Sequence, residues 1–241
     1  MEFVVENSGK INIIFLHGWG ADYLSFYFLK NKFLNYKLHF ANLDGFGKTN
    51  APQDPTINGY AQRLHKYINS NNLSNIILVG HSFGGRVAIE YSSKYQILGL
   101  VLVDSAGIKP KFSLKKQFKI VQYKITKVLA KRGLLNHQSL KNFGSADYKN
   151  SSPQMQRVLK SCVNYNQKPL LKNINAKTLI IWGQKDLDTP IYMANTLHKH
   201  IKNSKLIVLK NCGHFSFLDN QYLFYLELKN FIDNLKGELY E

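Results

Sequence analysis

Short apolar runs alternate with amphipathic stretches along most of the chain. The runs at Ile11–Leu16, Leu38–Leu43, Ile76–Val79, Leu98–Val103, Thr178–Trp182 and Leu206–Leu209 are rich in Ile, Leu and Val. Several are continuously apolar rather than alternating, as strands must be when helices cover both faces of their sheet. Phe3–Val5 predicts a further, short edge strand. Between the runs, helical periodicity covers roughly Leu24–Leu34, Tyr60–Ser70, Gly84–Lys94, Ile191–Lys202 and Asn220–Leu235, with Pro190 suited to the first turn of the fourth. This order predicts an α/β fold with a mainly parallel, doubly wound sheet.

The alternation stops between about Ile108 and Lys172. There Leu114, Phe118, Val121, Ile125 and Val128 recur at helical spacing, with Ser113 placed to cap the start and Gly133 to end it. A second helix is expected from near Pro153, carrying Met155, Val158, Leu159 and Cys162. Residues 108–172 therefore read as a helical cap inserted in a core formed by 1–107 and 173–241.

Charge sharpens that division. The formal net charge is +17, yet Ser105 to Lys172 holds fifteen of the 32 basic residues and a single acid, Asp147. A lysine-rich composition alone would not strip the acids from one stretch, and a basic surface attracts anionic partners. Lys115, Lys116, Lys119, Lys124, Lys127, Arg132 and Arg157 are the candidate contacts for such a partner. Lys10 precedes the only early apolar run, which is too short for a signal peptide or a span. Cys162 and Cys212 fit no metal or redox spacing and read as free thiols, so a cytoplasmic location is expected. No dinucleotide fingerprint, Walker loop or zinc-ligand spacing appears, and no cofactor is expected.

The chemistry concentrates in loops. Gly80-His81-Ser82-Phe83-Gly84 directly follows one predicted strand and directly precedes a helical pattern. A G-x-S-x-G on a sharp strand-to-helix turn presents its serine as a nucleophile, and Gly80 and Gly84 leave room for the strained turn. Serine is a poor nucleophile until a base takes its proton, and an imidazole titrates in the useful range. His214, in Cys212-Gly213-His214, is the candidate base. Asp186 is the candidate acid that orients it, with Asp104 and Asp188 as competitors; Asp188 suits a cap for the helix near Pro190. His17 and His81 read as structural hydrogen bonders. His39, His65, His137, His198 and His200 have no supporting motif.

Taken in order, these motifs resemble the α/β-hydrolase family over nearly the whole chain. His17-Gly18-Trp19-Gly20 is similar to the family's oxyanion loop, and Asp44-Gly45-Phe46-Gly47 to its D-x-x-G turn. The elbow at Ser82, Gly183-Gln184-Lys185-Asp186 and the His214 turn then follow in the order Ser, Asp, His that this fold uses. The resemblance implies an oxyanion hole from the backbone N–H groups of Trp19 and Phe83. It also implies ester hydrolysis through an acyl-enzyme, since the family's dehalogenases and epoxide hydrolases carry aspartate at the elbow. A weaker similarity, in the H-G-W-G loop, size and basic cap, points to pimeloyl-[acyl-carrier-protein] methyl ester esterases. An acidic acyl carrier protein docking on the cap is then the expected partner. Open alternatives are a generic small-molecule esterase or thioesterase, a C–C bond hydrolase of ring-cleavage products, and a non-enzymatic anionic-ligand or nucleic-acid binding protein using the basic cap. No nucleic-acid partner is expected, because no recognition module is present, and no membrane contact.

Overall fold

Successive residues of a strand face opposite ways, so a strand covered on both sides must be largely apolar throughout. β2 (Asn12–Leu16), β4 (Ile76–His81) and β5 (Gly99–Val103) are buried along their whole lengths. Ile14, Leu16, Leu78 and Leu102 pack into one core, while Ile13, Phe15, Val79 and Val103 pack into a second on the opposite face. The computed structural model describes residues 1–111, 122, 126 and 146–240.

The seven-stranded sheet is completed by β1 (Glu2–Glu6), β3 (Lys37–Asn42), β6 (Lys177–Gly183) and β7 (Ser204–Leu209), in the order β1-β3-β2-β4-β5-β6-β7. β1 is the antiparallel edge strand, and every other pair is parallel. The predicted α/β-hydrolase sheet is therefore the one observed. On one face lie α2 (Ile57–Ser70), α3 (Phe83–Ser92), α5 (Pro153–Val163) and α6 (Tyr192–His200); on the other lie α1 (Leu24–Tyr27), α7 (Ser216–Asp219) and α8 (Gln221–Tyr240).

Three local expectations need correction. The helix predicted over Leu24–Leu34 stops at Tyr27. Beyond it the amides of Leu29, Lys30 and Lys32 bond three residues back rather than four, so the chain tightens into turns. Phe26, Leu29 and Phe33 are all buried along that path, which mimics helical spacing in the sequence. α2 begins earlier than predicted, at Ile57, because the Thr56 hydroxyl accepts the Gly59 N–H at 3.0 Å. Finally, α6 starts at Tyr192, beyond Pro190, and its N-cap residue Ile191 makes no side-chain cap bond, so Asp188 does not cap it.

Residues 104–176 connect β5 to β6. This stretch contains α4 (Ala146–Asn150), α5 and a 3₁₀ turn at Lys168–Asn173. α5 is the helix expected near Pro153. The Ser152 hydroxyl accepts the Met155 N–H at 3.3 Å, and Met155, Val158 and Cys162 are buried against the core. The helix predicted between Ser113 and Gly133 lies outside the described residues. Both cysteines are free and buried. Among the described residues no helix is long and apolar enough to cross a membrane.

Candidate active site

From β2 the chain crosses to β3 on one side, then returns to lay β4 on the other side of β2. The loops leaving β2 and β4 therefore diverge, and such a switch point opens a crevice at the carboxyl ends of the strands. The six parallel strands all deliver a motif to that edge: the loop starting at His17, the Asp44 turn, Ser82, Asp104, Asp186 and His214.

Ser82 sits between β4 and α3 at φ 49°, ψ −109°, a strained left-handed conformation for a residue with a side chain. Its surroundings hold it there. Its N–H donates to Val103 O at 3.1 Å, and its own carbonyl accepts the Ala106 N–H at 3.0 Å. The flanking glycines are required by contact. A Cβ on Gly80 would lie 2.7 Å from Gly84 O, and one on Gly84 only 2.2 Å from Leu16 O.

The loop after β2 is anchored by His17. Its Nδ1–H donates to Gly18 O at 2.7 Å, while Nε2 accepts the Leu43 N–H at 3.0 Å. Burial lowers its pKa to about 4, which keeps the ring neutral and its acceptor free. His81, also lowered by burial, to about 3, donates from Nε2 to His214 O at 2.8 Å. Both are structural hydrogen bonders, as expected. Gly84 N–H donates to His17 O at 3.0 Å, which ties the His17 loop to the start of α3. Among the described residues, the Trp19 and Phe83 backbone N–H groups meet no protein acceptor. The Phe83 amide opens α3, where the helix leaves its first N–H groups unbonded and its dipole favours negative charge.

His214 lies with Nε2 3.0 Å from Ser82 Oγ and Nδ1 2.9 Å from Asp186 Oδ2. The second bond fixes the proton on Nδ1 and leaves Nε2 free to accept from the serine. Asp186 is itself saturated. Oδ1 accepts the N–H groups of Asp188 and Thr189, both at 2.9 Å, and Oδ2 accepts the Thr189 hydroxyl at 2.6 Å. Burial raises the Asp186 pKa, but the bonds from His214 and Thr189 outweigh it and the net shift is downward. For His214 burial lowers the pKa, yet the Asp186 bond and charge, with Asp104 and Asp188 adding, raise it overall.

Asp188 thus supplies an amide to Asp186, not a second acid. Asp104, the other competitor, has its carboxylate bonded to Gly183 and Ser216 rather than to His214. The sequence does not single out Thr189 and Ser216, because nothing in their local motifs marks a residue that supports another side chain. Ligand atoms of Asp186, Asp188 and His214 lie within 4.8 Å of one another, but a cation there would have to displace the bonds just described. Beside the loop that follows β2 a cavity of about 460 Å³ is lined by Trp19, Gly20, Gly45, Phe46, Ser152 and Met155, among others. Of the basic partner candidates, Arg157 is exposed on α5. Lys115, Lys116, Lys119, Lys124, Lys127 and Arg132 lie outside the described residues.

A family model described as the alpha/beta hydrolase family matches residues 13–224. The chain belongs to that family. A pimeloyl-[acyl-carrier protein] methyl ester esterase of Wigglesworthia glossinidia brevipalpis is 26% identical over 95% of this chain and 96% of its own length. Lipase 3 of a Moraxella species is 25% identical over 93% of this chain and 78% of its own. Among solved structures, an esterase from Exiguobacterium antarcticum superposes with a TM-score of 0.75 at 23% identity, covering 96% of this chain and 95% of that one. A lipase from Acinetobacter baumannii gives 0.77 at 24%, covering 98% and 88%. These structural likenesses show the shared fold. Within the family, this hydrolase is of the esterase and lipase type.

Proposed function

We propose that the protein hydrolyses a carboxylic ester through a Ser82-bound acyl-enzyme, with His214 as base and Asp186 as its orienting acid. The observation that carries this reading is the unbroken relay from Ser82 Oγ to His214 Nε2 and from His214 Nδ1 to Asp186 Oδ2, at 3.0 and 2.9 Å. As Oγ attacks the ester carbonyl, Nε2 takes its proton, and the Asp186 carboxylate stabilises the resulting imidazolium. The carbonyl oxygen becomes an oxyanion facing the Trp19 and Phe83 amides, each such donor contributing about 3–4 kcal/mol in the transition state. Nε2–H then protonates the departing alcohol. Water, deprotonated by His214, releases the acid from Ser82. The test is Ser82→Ala on a soluble chromogenic ester: activity falls to background, and retention of wild-type turnover would sink the mechanism.

A finer reading concerns the substrate. The concentration of basic residues in 105–172, and the likeness to an esterase whose name specifies an acyl-carrier-protein ester, support an acyl group delivered by an acidic carrier. Electrostatic docking of that kind is weakened by salt. A carrier-linked methyl ester is therefore cleaved faster than the matching free ester at low ionic strength, and the preference disappears at high. Equal rates on both at any salt would leave a generic small-molecule esterase.

A further inference from the structure

Asp104, the first residue after β5, is fully buried, with its backbone at φ 43°. Its side chain receives three donors, one from the last residue of β6 and two from the first residue of α7. Oδ1 accepts the Gly183 N–H at 2.7 Å, three residues before Asp186. Oδ2 accepts the Ser216 N–H at 3.1 Å and the Ser216 hydroxyl at 2.5 Å, two residues past His214. One carboxylate thus bridges the acid-bearing turn and the histidine-bearing turn.

We propose that Asp104 is a positioning residue for His214, fixing the spacing of these two turns and placing a negative charge behind the imidazolium. The proposal rests on the reading of Ser82, His214 and Asp186 as the reacting set. Three converging donors need an acceptor-only group, and an ionised carboxylate supplies it where an amide would oppose one N–H with another. The ionised form is held against the fold's own preference. Burial pushes Asp104 up to about 7 from 3.8, even with donors on both oxygens. Native Asp104 therefore binds a proton that the unfolded chain has lost, so rising pH between those values works against stability at this residue. Retaining a stability cost at an active site is the pattern expected when function needs the group.

The other groups around the imidazole are accounted for. Asp186 and Asp188 act in the same direction as Asp104, and the neutral His81 ring lies against it at a tilt, with centroids 4.9 Å apart. Cys212, whose thiol is raised by burial and then by Asp219 and Asp104, stays protonated.

Asp104→Asn and Ser216→Ala, assayed on a chromogenic ester from about pH 5 to 9, test the proposal. Asp104→Asn lowers kcat by about 10–100-fold with KM within about twofold, as small misplacements of a base do. The acid limb of its pH profile, whose wild-type midpoint lies above 6.5, moves to lower pH, because the imidazolium has lost the charge that Asp104 gains as pH rises through about 7. Its melting temperature near pH 8 stays within a few degrees, since the lost bond is offset by removal of a buried charge. Ser216→Ala keeps the charge and two of the bonds, so kcat drops only about 3–10-fold and the acid limb stays in place. Wild-type kcat in Ser216→Ala, or an unmoved acid limb in a folded Asp104→Asn, overturns the positioning role. If Asp104→Asn does not fold, Ser216→Ala alone decides. Ser82→Ala separates the layers: activity surviving there overturns the underlying mechanism and this proposal with it. A dead Ser82→Ala beside an unaffected Asp104→Asn overturns the proposal alone.

Discussion

The Thr189 hydroxyl donates to Asp186 Oδ2 at 2.6 Å while its oxygen lies 3.2 Å from His214 Nδ1, so one side chain touches both partners of the acid–base pair. Its backbone N–H also donates to Asp186 Oδ1, at 2.9 Å. The carboxylate is thereby locked in rotation, with one lone pair aimed at the imidazole. Thr189→Val keeps the shape and the amide but loses the hydroxyl. A bond to a charged acceptor contributes about 1.5–3 kcal/mol, so kcat/KM falls about tenfold or more, and Thr189→Ser restores most of it. Steady-state kinetics on one ester decide this; wild-type kcat/KM in the valine variant would mean that the amides alone orient Asp186.

Under the proposed mechanism the raised pKa of His214 sets the pH profile. The base works only when neutral, so activity falls as pH drops through a midpoint above the 6.5 of a free imidazole. Asp186→Asn removes the bond and charge that cause the shift. Its acid limb should move to lower pH and its kcat fall by about 10⁴-fold. A pH–rate series on both proteins measures each effect, and a midpoint below 6.5 in the wild type would contradict the geometry.

Two glycines of the site separate steric from conformational need. Gly84→Ala places a Cβ 2.2 Å from Leu16 O, a backbone atom that cannot turn aside. That variant is expected to misfold or to melt far below the wild type. Gly20 has φ +74°, and a Cβ added there would find nothing within 4 Å, so Gly20→Ala meets only the left-handed penalty of about 1–2 kcal/mol. Thermal melts of the two should differ widely.

Gly45 tests the seat of α5. A Cβ there would stand 2.1 Å from Met155 Sδ. Gly45→Ala should therefore lower the melting temperature through both the clash and its φ of +87°. Adding Met155→Ala removes the clash, so the double variant is more stable than the sum of the single losses. Strict additivity would show that Met155 does not press on this turn.

Much of this is legible because periodicity is local. The runs at Ile11–Leu16 and Ile76–Val79 fall on observed strands, and the elbow announces itself by its position between strand and helix. Motif nominates Ser82, His214 and Asp186, and the structure brings them within hydrogen-bonding distance. What escapes is of two kinds. Phe26, Leu29 and Phe33 keep helical spacing while the backbone winds in tighter turns, so side-chain pattern and backbone path part company. The second kind is support from a distance. Asp104 meets Gly183 and Ser216 across 79 and 112 residues of chain, and no local pattern encodes such meetings. Asp188 shows the same limit: its acidic side chain draws attention, whereas its amide is the part that Asp186 uses.

Among the described residues, β7 is the outermost strand on its side of the sheet and pairs only with β6. It is also the strand that carries His214, whereas Ser82 hangs from the fully buried β4. Edge elements open at lower free energy than the centre of a sheet. Heating should therefore unhook the base while the nucleophile's strand is still folded, and activity will vanish at a lower temperature than bulk secondary structure.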